Sequence, residues 1–114
     1  MAPEHWQEQL RRGTLELAVL LAIGPSRRYG LEILRHLEFA DLVVAEGTVY
    51  PLLARLERDG LLKSDWVEGE GPRPRKYYQL TAAGRAHMKR MAHEFRAVAG
   101  GIEQMIAGVL GEDR

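Results

Sequence analysis

The chain has no cysteine among its 114 residues. That absence excludes disulfides, thiolate zinc fingers, cysteine-held iron-sulfur clusters and a cysteine nucleophile, and it suits a reducing, cytoplasmic setting. Histidine is nearly as scarce, with four copies at His5, His36, His87 and His93. None lies three or four residues from another, so local metal-ligand spacing is missing and neither a metal nor a cofactor is expected. Charge of one sign is lacking as well: 16 Lys and Arg balance 16 Asp and Glu, so no whole-molecule field steers a polyanion towards the chain. The longest apolar run, Leu17 to Ile23, covers seven residues. A membrane-spanning helix needs roughly 18 or more. Arg11 and Arg12 ahead of that run mimic the start of a secretion signal, yet Glu16 interrupts it and no A-x-A site follows Gly24-Pro25. A helix is expected there, not a signal peptide.

What is present is ordinary for one small folded domain: 46% hydrophobic residues, 28% charged, and a mean hydropathy of −0.28. No glycine-rich phosphate loop occurs, and the carboxylates Glu57 and Asp59 fall at an exposed helix end without a companion base. Catalysis is therefore not expected. Charge is unevenly spread. Residues 69–80 hold Arg73, Arg75 and Lys76 against Glu70, net +2, whereas residues 46–68 hold three bases against five acids, net −2. Any electrostatic grip on a polyanion must be local.

Hydrophobic spacing predicts a first helix over about Glu4 to Ile23, stopped by Gly24-Pro25, and a second over about Tyr29 to Phe39 with Leu31, Ile33, Leu34 and Leu37 inward. In the third, Val49, Leu52, Leu53 and Leu56 recur at i, i+3, i+4 and i+7, while Thr48, Pro51, Arg55 and Arg58 share another face. Pro51 lacks an N–H and is tolerated in a first turn, which puts the expected N-cap near Thr48, and Gly60 supplies the stop. A hairpin follows, with strands at about Leu62 to Glu68 and Lys76 to Leu80 around a loop that carries Arg73 and Arg75 between Pro72 and Pro74. Thr81 is the expected cap of a last helix reaching about Leu110. There Met88, Met91, Phe95, Val98, Ile102, Met105 and Val109 are spaced 3, 4, 3, 4, 3, 4, a heptad seam. Such a helix spans about 44 Å, more than so small a domain covers, and its seam calls for a second copy of the chain. Gly100-Gly101 interrupts it at a cost of about 2 kcal/mol relative to Ala-Ala. The expected fold is mostly α, of the α+β class: a winged helix-turn-helix over residues 1–80, including the N-terminal helix, then a dimerisation helix over 81–114.

Several motifs carry a family resemblance. Arg11-Arg12-Gly13-Thr14-Leu15-Glu16-Leu17, Tyr29-Gly30-Leu31-Glu32-Ile33, Glu46-Gly47-Thr48-Val49-Tyr50-Pro51-Leu52-Leu53, Gly60-Leu61-Leu62, Pro74-Arg75-Lys76-Tyr77-Tyr78 and Leu80-Thr81-Ala82-Ala83-Gly84-Arg85 occur in order. Together they resemble the PadR family of bacterial transcriptional regulators over about residues 10–90. The resemblance implies a dimeric winged-helix repressor that binds a roughly palindromic operator on double-stranded DNA and is released by a small-molecule effector. Two departures stand out. Ala45 occupies a position where relatives often carry Ser, and the last helix has no Trp, so a tryptophan-lined drug pocket does not carry over.

In a helix-turn-helix the recognition helix enters the major groove by its N-terminal part. That assigns Thr48, Tyr50, Pro51 and Arg55 to the DNA side, with Arg55 the candidate for a bidentate contact to guanine. Its competing role is pairing with nearby carboxylates on a solvated helix. Arg73 and Arg75 suit phosphates or a narrow minor groove, Lys76 a phosphate at the base of the hairpin, and Arg28 and Tyr29 a phosphate at the start of the second helix. Trp6 and Trp66 are candidate effector contacts because aromatic rings stack on planar ligands, with ordinary packing as the alternative. The rival to a DNA-binding regulator is a winged-helix module that binds protein instead.

Overall fold

A computed structural model describes residues 3–111 apart from 43, 70 and 72. The expected involvement of Pro72 and Glu70 at the hairpin tip thus lies outside the described residues, as do residues 112–114 of the expected 81–114 segment. Helix α1 (Pro3–Ile23) is followed by a short strand β1 (Arg28–Tyr29), helix α2 (Gly30–Phe39), helix α3 (Glu46–Arg58), the hairpin β2 (Leu62–Val67) and β3 (Arg75–Leu80), and helix α4 (Ala82–Leu110). The sheet order is β1-β3-β2, antiparallel throughout.

Burial explains this arrangement. Val19, Leu20 and Ile23 of α1, Ile33 and Leu37 of α2 and Val49, Leu53 and Leu56 of α3 form one apolar centre, closed by Leu62, Tyr78 and Leu80 of the hairpin. Period-3.6 stripes on three helices meet a period-2 face of the sheet there. The register sets Leu62 opposite Leu80 and Ser64 opposite Tyr78 on the core side. Trp66, opposite Lys76, shares that face but lies beyond the core and is 69% exposed.

Two expectations need correction. Arg28 and Tyr29 precede the first turn of the second helix rather than forming it: they pair with Tyr78 and Tyr77 as an edge strand, and Tyr29 is the cap from which α2 starts, its N–H donating to Glu32 Oε1 at 3.1 Å. A two-residue strand has no periodicity to read, which is why it was not expected. Helix α3 begins at Glu46, capped by the extended Ala45, rather than near Thr48. Pro51 therefore sits inside the helix, where its missing N–H leaves the Gly47 carbonyl without its i+4 donor. Both residues are exposed, so water or another partner can satisfy that oxygen. Gly60, at φ 78°, turns the chain out of α3 in a conformation that an L side chain rarely adopts.

Thr81 caps α4 as expected: its hydroxyl accepts from the Gly84 N–H at 2.9 Å and donates to the Gly60 carbonyl at 2.7 Å. The helix then runs 29 residues through Gly100 and Gly101 and gives the molecule its long axis, with extents of 56 × 30 × 23 Å.

Candidate nucleic-acid interface

Helix α3 turns Val49, Leu53 and Leu56 into the core, so its opposite face is free. Thr48, Tyr50, Pro51 and Arg58 are all exposed along it. Tyr50 is 40% exposed, and its ring lies against Gly30 so closely that a β-carbon there would meet the Tyr50 hydroxyl. Partial burial raises the Tyr50 phenol above its ordinary value, helped by the negative charge of Glu46. It remains a neutral donor and acceptor at neutral pH. Arg58, an exposed neighbour of that face, holds no ion pair among the described residues.

Arg55 stands at the edge of this face and is held. Its two terminal nitrogens lie 2.6 Å from Glu16 Oε1 on α1 and 3.3 Å from Asp59 Oδ2. The Glu16 hydrogen bond, opposed by some desolvation, raises the guanidinium's already high pKa. The other Glu16 oxygen lies 2.9 Å from His87 Nε2 on α4, while Arg90 donates to His87 Nδ1 at 3.3 Å. Guanidinium only donates, so Nδ1 accepts and the neutral ring carries its proton on Nε2, directed at Glu16. Burial alone would raise the Glu16 carboxyl; the hydrogen bonds from Arg55 and His87 and the charge of Arg55 outweigh it, and the net shift is downward from 4.5. A base contact by Arg55 requires it to exchange a carboxylate for guanine. Sequence spacing identified Arg55 but not Glu16, which is 39 residues away.

The hairpin is fastened to α3 by Glu57, which accepts from Ser64 Oγ at 2.5 Å and pairs with Lys76 Nζ at 3.5 Å. Lys76 is thus partly neutralised at the hairpin base. Further out, Arg73 and Arg75 are exposed. The Arg75 guanidinium lies 4.5 Å over the Tyr29 ring, Tyr29 meets Tyr77 edge-on at 5.4 Å, and Arg27 lies 4.9 Å over Tyr77. Cations stacked on π faces keep their N–H edges available while losing rotamer freedom. Sequence reasoning missed Tyr77 in this ladder, because only the pairing of β1 with β3 brings it to Tyr29. Arg28 Nε is buried without a hydrogen-bond partner.

The two tryptophans are not brought together. Trp6 lines an apolar groove of about 680 Å³ between α1 and α4, with Leu10, Leu17, Phe95, Val98 and Ile102; Trp66 is on the hairpin and is no part of it. The heptad seam divides in the same region. Met88 and Met91 pack on this chain's own core, whereas Phe95, Val98, Ile102, Met105 and Val109 are 48, 63, 52, 70 and 84% exposed. Among the described residues no cluster of His, Asp or Glu could hold a metal ion, and no helix is long and apolar enough to cross a membrane.

A helix-turn-helix with its exposed third helix beside a basic hairpin defines the winged-helix class of regulators. The profile of the PadR-like transcriptional regulator family matches residues 19–90, and the chain belongs to that family, which is one of transcriptional regulators and not of enzymes. It is 36% identical over 78 residues to the transcriptional regulator Rv3488 of Mycobacterium tuberculosis, covering 68% of this chain and 72% of that protein. Among solved structures, a PadR family regulator from Eggerthella lenta matches with a TM-score of 0.80 at 32% identity, covering 90% of each chain. A PadR-like transcription factor from Bacteroides fragilis matches at 0.72 and 35% identity, over 89% of this chain and 98% of that one.

Proposed function

We propose that the chain is a homodimeric, sequence-specific DNA-binding repressor of the cytoplasm, acting on a roughly palindromic operator and released by a small-molecule effector. The observation that carries this reading is the outward face of α3, bearing Thr48, Tyr50 and Pro51, beside a hairpin that exposes Arg73 in its loop and Arg75 at the start of β3. Thr48 and Tyr50 offer short polar groups to base edges or phosphates, and Pro51 leaves the Gly47 carbonyl open on the same side. Arg73 and Arg75 suit phosphates or the minor groove, with Lys76 behind them, and Arg28 and Tyr29 suit a phosphate at the start of α2. Arg55 is the candidate base reader once it leaves Glu16.

Residues 1–80 would bind DNA and 81–114 would join the copies. The strip from Phe95 to Val109 is too apolar and too exposed to suit a monomer, and Met88 and Met91 would support it from inside. An effector with a flat apolar part fits the groove under Trp6; Trp66 would contact it only if the partner copy carried the hairpin to the groove.

Charge reversal tests the reading. Arg73→Glu with Arg75→Glu is expected to abolish binding to duplex DNA while leaving the fold intact by circular dichroism. Retained duplex binding would contradict the interface, and retained regulation without any duplex binding would favour a protein-binding module.

A further inference from the structure

We propose that Glu16 is a positioning residue for Arg55, fixing the orientation of that guanidinium at the edge of α3 and so setting how sharply the protein discriminates between DNA sequences. This rests on the DNA-binding reading above. Three observations carry it. Glu16 belongs to α1, reaches α3 through Arg55 at the edge of its outward face, and is a quarter exposed, yet both its oxygens are engaged: Oε1 by Arg55 at 2.6 Å and Oε2 by His87 at 2.9 Å. Arg55 is anchored a second time by Asp59 at 3.3 Å. The carboxylate therefore cannot follow Arg55 outward without leaving α4.

A guanidinium on a free four-bond stem samples many rotamers and meets whichever phosphate is near. An anchored one moves only for a partner that replaces its carboxylate with equally good geometry, as the O6 and N7 acceptors of guanine do. Glu16 also contributes a negative charge beside the DNA-facing surface, which weakens attraction to every sequence alike. Removing that charge and that anchor affects discrimination and general affinity in opposite directions, whereas loosening the fold lowers both.

The test uses full-length wild type, Glu16→Gln, Arg55→Ala and the double variant. Each is titrated onto a duplex enriched by the wild type from a randomised pool and onto its scrambled counterpart, at one salt concentration, with thermal unfolding alongside. Glu16→Gln is expected to bind scrambled DNA at least as tightly as wild type while its preference for the enriched duplex falls by about tenfold. In the Arg55→Ala background the same change is expected to leave the preference where Arg55→Ala alone puts it. An unchanged preference in Glu16→Gln, equal weakening on both duplexes, or a full loss persisting without Arg55 overturns the proposal while the DNA-binding reading stands. A wild type that enriches no duplex overturns that reading and this proposal together. Should Glu16→Gln fail to fold, Glu16→Asp, which keeps the charge and shortens the reach, is read by the same preference.

Discussion

Three carboxylates hold basic side chains around α3: Glu16 and Asp59 take Arg55, and Glu57 takes Lys76. Among the described residues Arg73 and Arg75, like Arg58, hold no ion pair and can meet a polyanion without first breaking one. Arg73→Ala is accordingly expected to weaken enriched and scrambled duplexes alike and to lower the salt slope by about one unit, measured by titration across a salt series. A loss confined to one sequence would contradict a phosphate role. Glu16 makes a separate prediction for stability. Its carboxyl titrates lower when folded than its ordinary 4.5, so its contribution is complete above that value and is lost as pH falls through the lower folded value. Glu16→Gln is expected to flatten this part of the acid limb, checked by unfolding between about pH 3 and pH 7; an unchanged limb would contradict the pairing. The sequence made Arg55, Arg73 and Arg75 legible as residues. It did not reveal their partners, since Glu16 and Tyr29 reach them only through tertiary packing.

At the scale of elements, helices α1, α2 and α4 were legible because long amphipathic stripes and a Thr81 cap leave little choice. Helix α3 was legible in its buried stripe but not in its start. Pro51 suggested a late beginning, yet the core contacts of Val49 hold the helix together from Glu46, and tertiary packing outweighs a local cost of about 3 kcal/mol. Strand β1 was not legible at all, being two residues whose partner strand comes 48 positions later. The junction of hairpin and α4 makes a sharp prediction. A β-carbon on Gly84 would collide with the Leu61 backbone carbonyl, which cannot swing aside, so Gly84→Ala is expected to cost about 1–3 kcal/mol by urea unfolding. At Gly30 the obstacle is the end of the Tyr50 ring, on a half-exposed side chain that can rotate out. Gly30→Ala should therefore disturb DNA binding more than stability.

On the scale of the whole molecule, α4 extends well past the core it helps to close. Its first apolar positions, Met88 and Met91, serve that core, and those from Phe95 onward face outward. Under the proposed dimer, a seam divided between the chain's own interior and a second copy would tie α3 to the dimer axis through one element, with the α1 groove alongside. Ile102→Glu, which would bury a carboxylate in such a seam, is expected to halve the mass in solution by sedimentation without unfolding the winged helix. An unchanged mass would argue that α4 is not the contact. The apolar stripe was legible from spacing alone; its division into a buried start and an exposed remainder was not, because a heptad repeat does not say what covers each position.

The most direct measurement is fluorescence anisotropy of labelled duplex DNA from upstream of the protein's own gene, titrated with the purified protein against excess scrambled competitor at low and physiological salt. Saturable binding that survives the competitor and weakens with salt is expected of a dimeric winged-helix regulator. Binding no better than to scrambled DNA at either salt, for this duplex and for any enriched from a randomised pool, would contradict it.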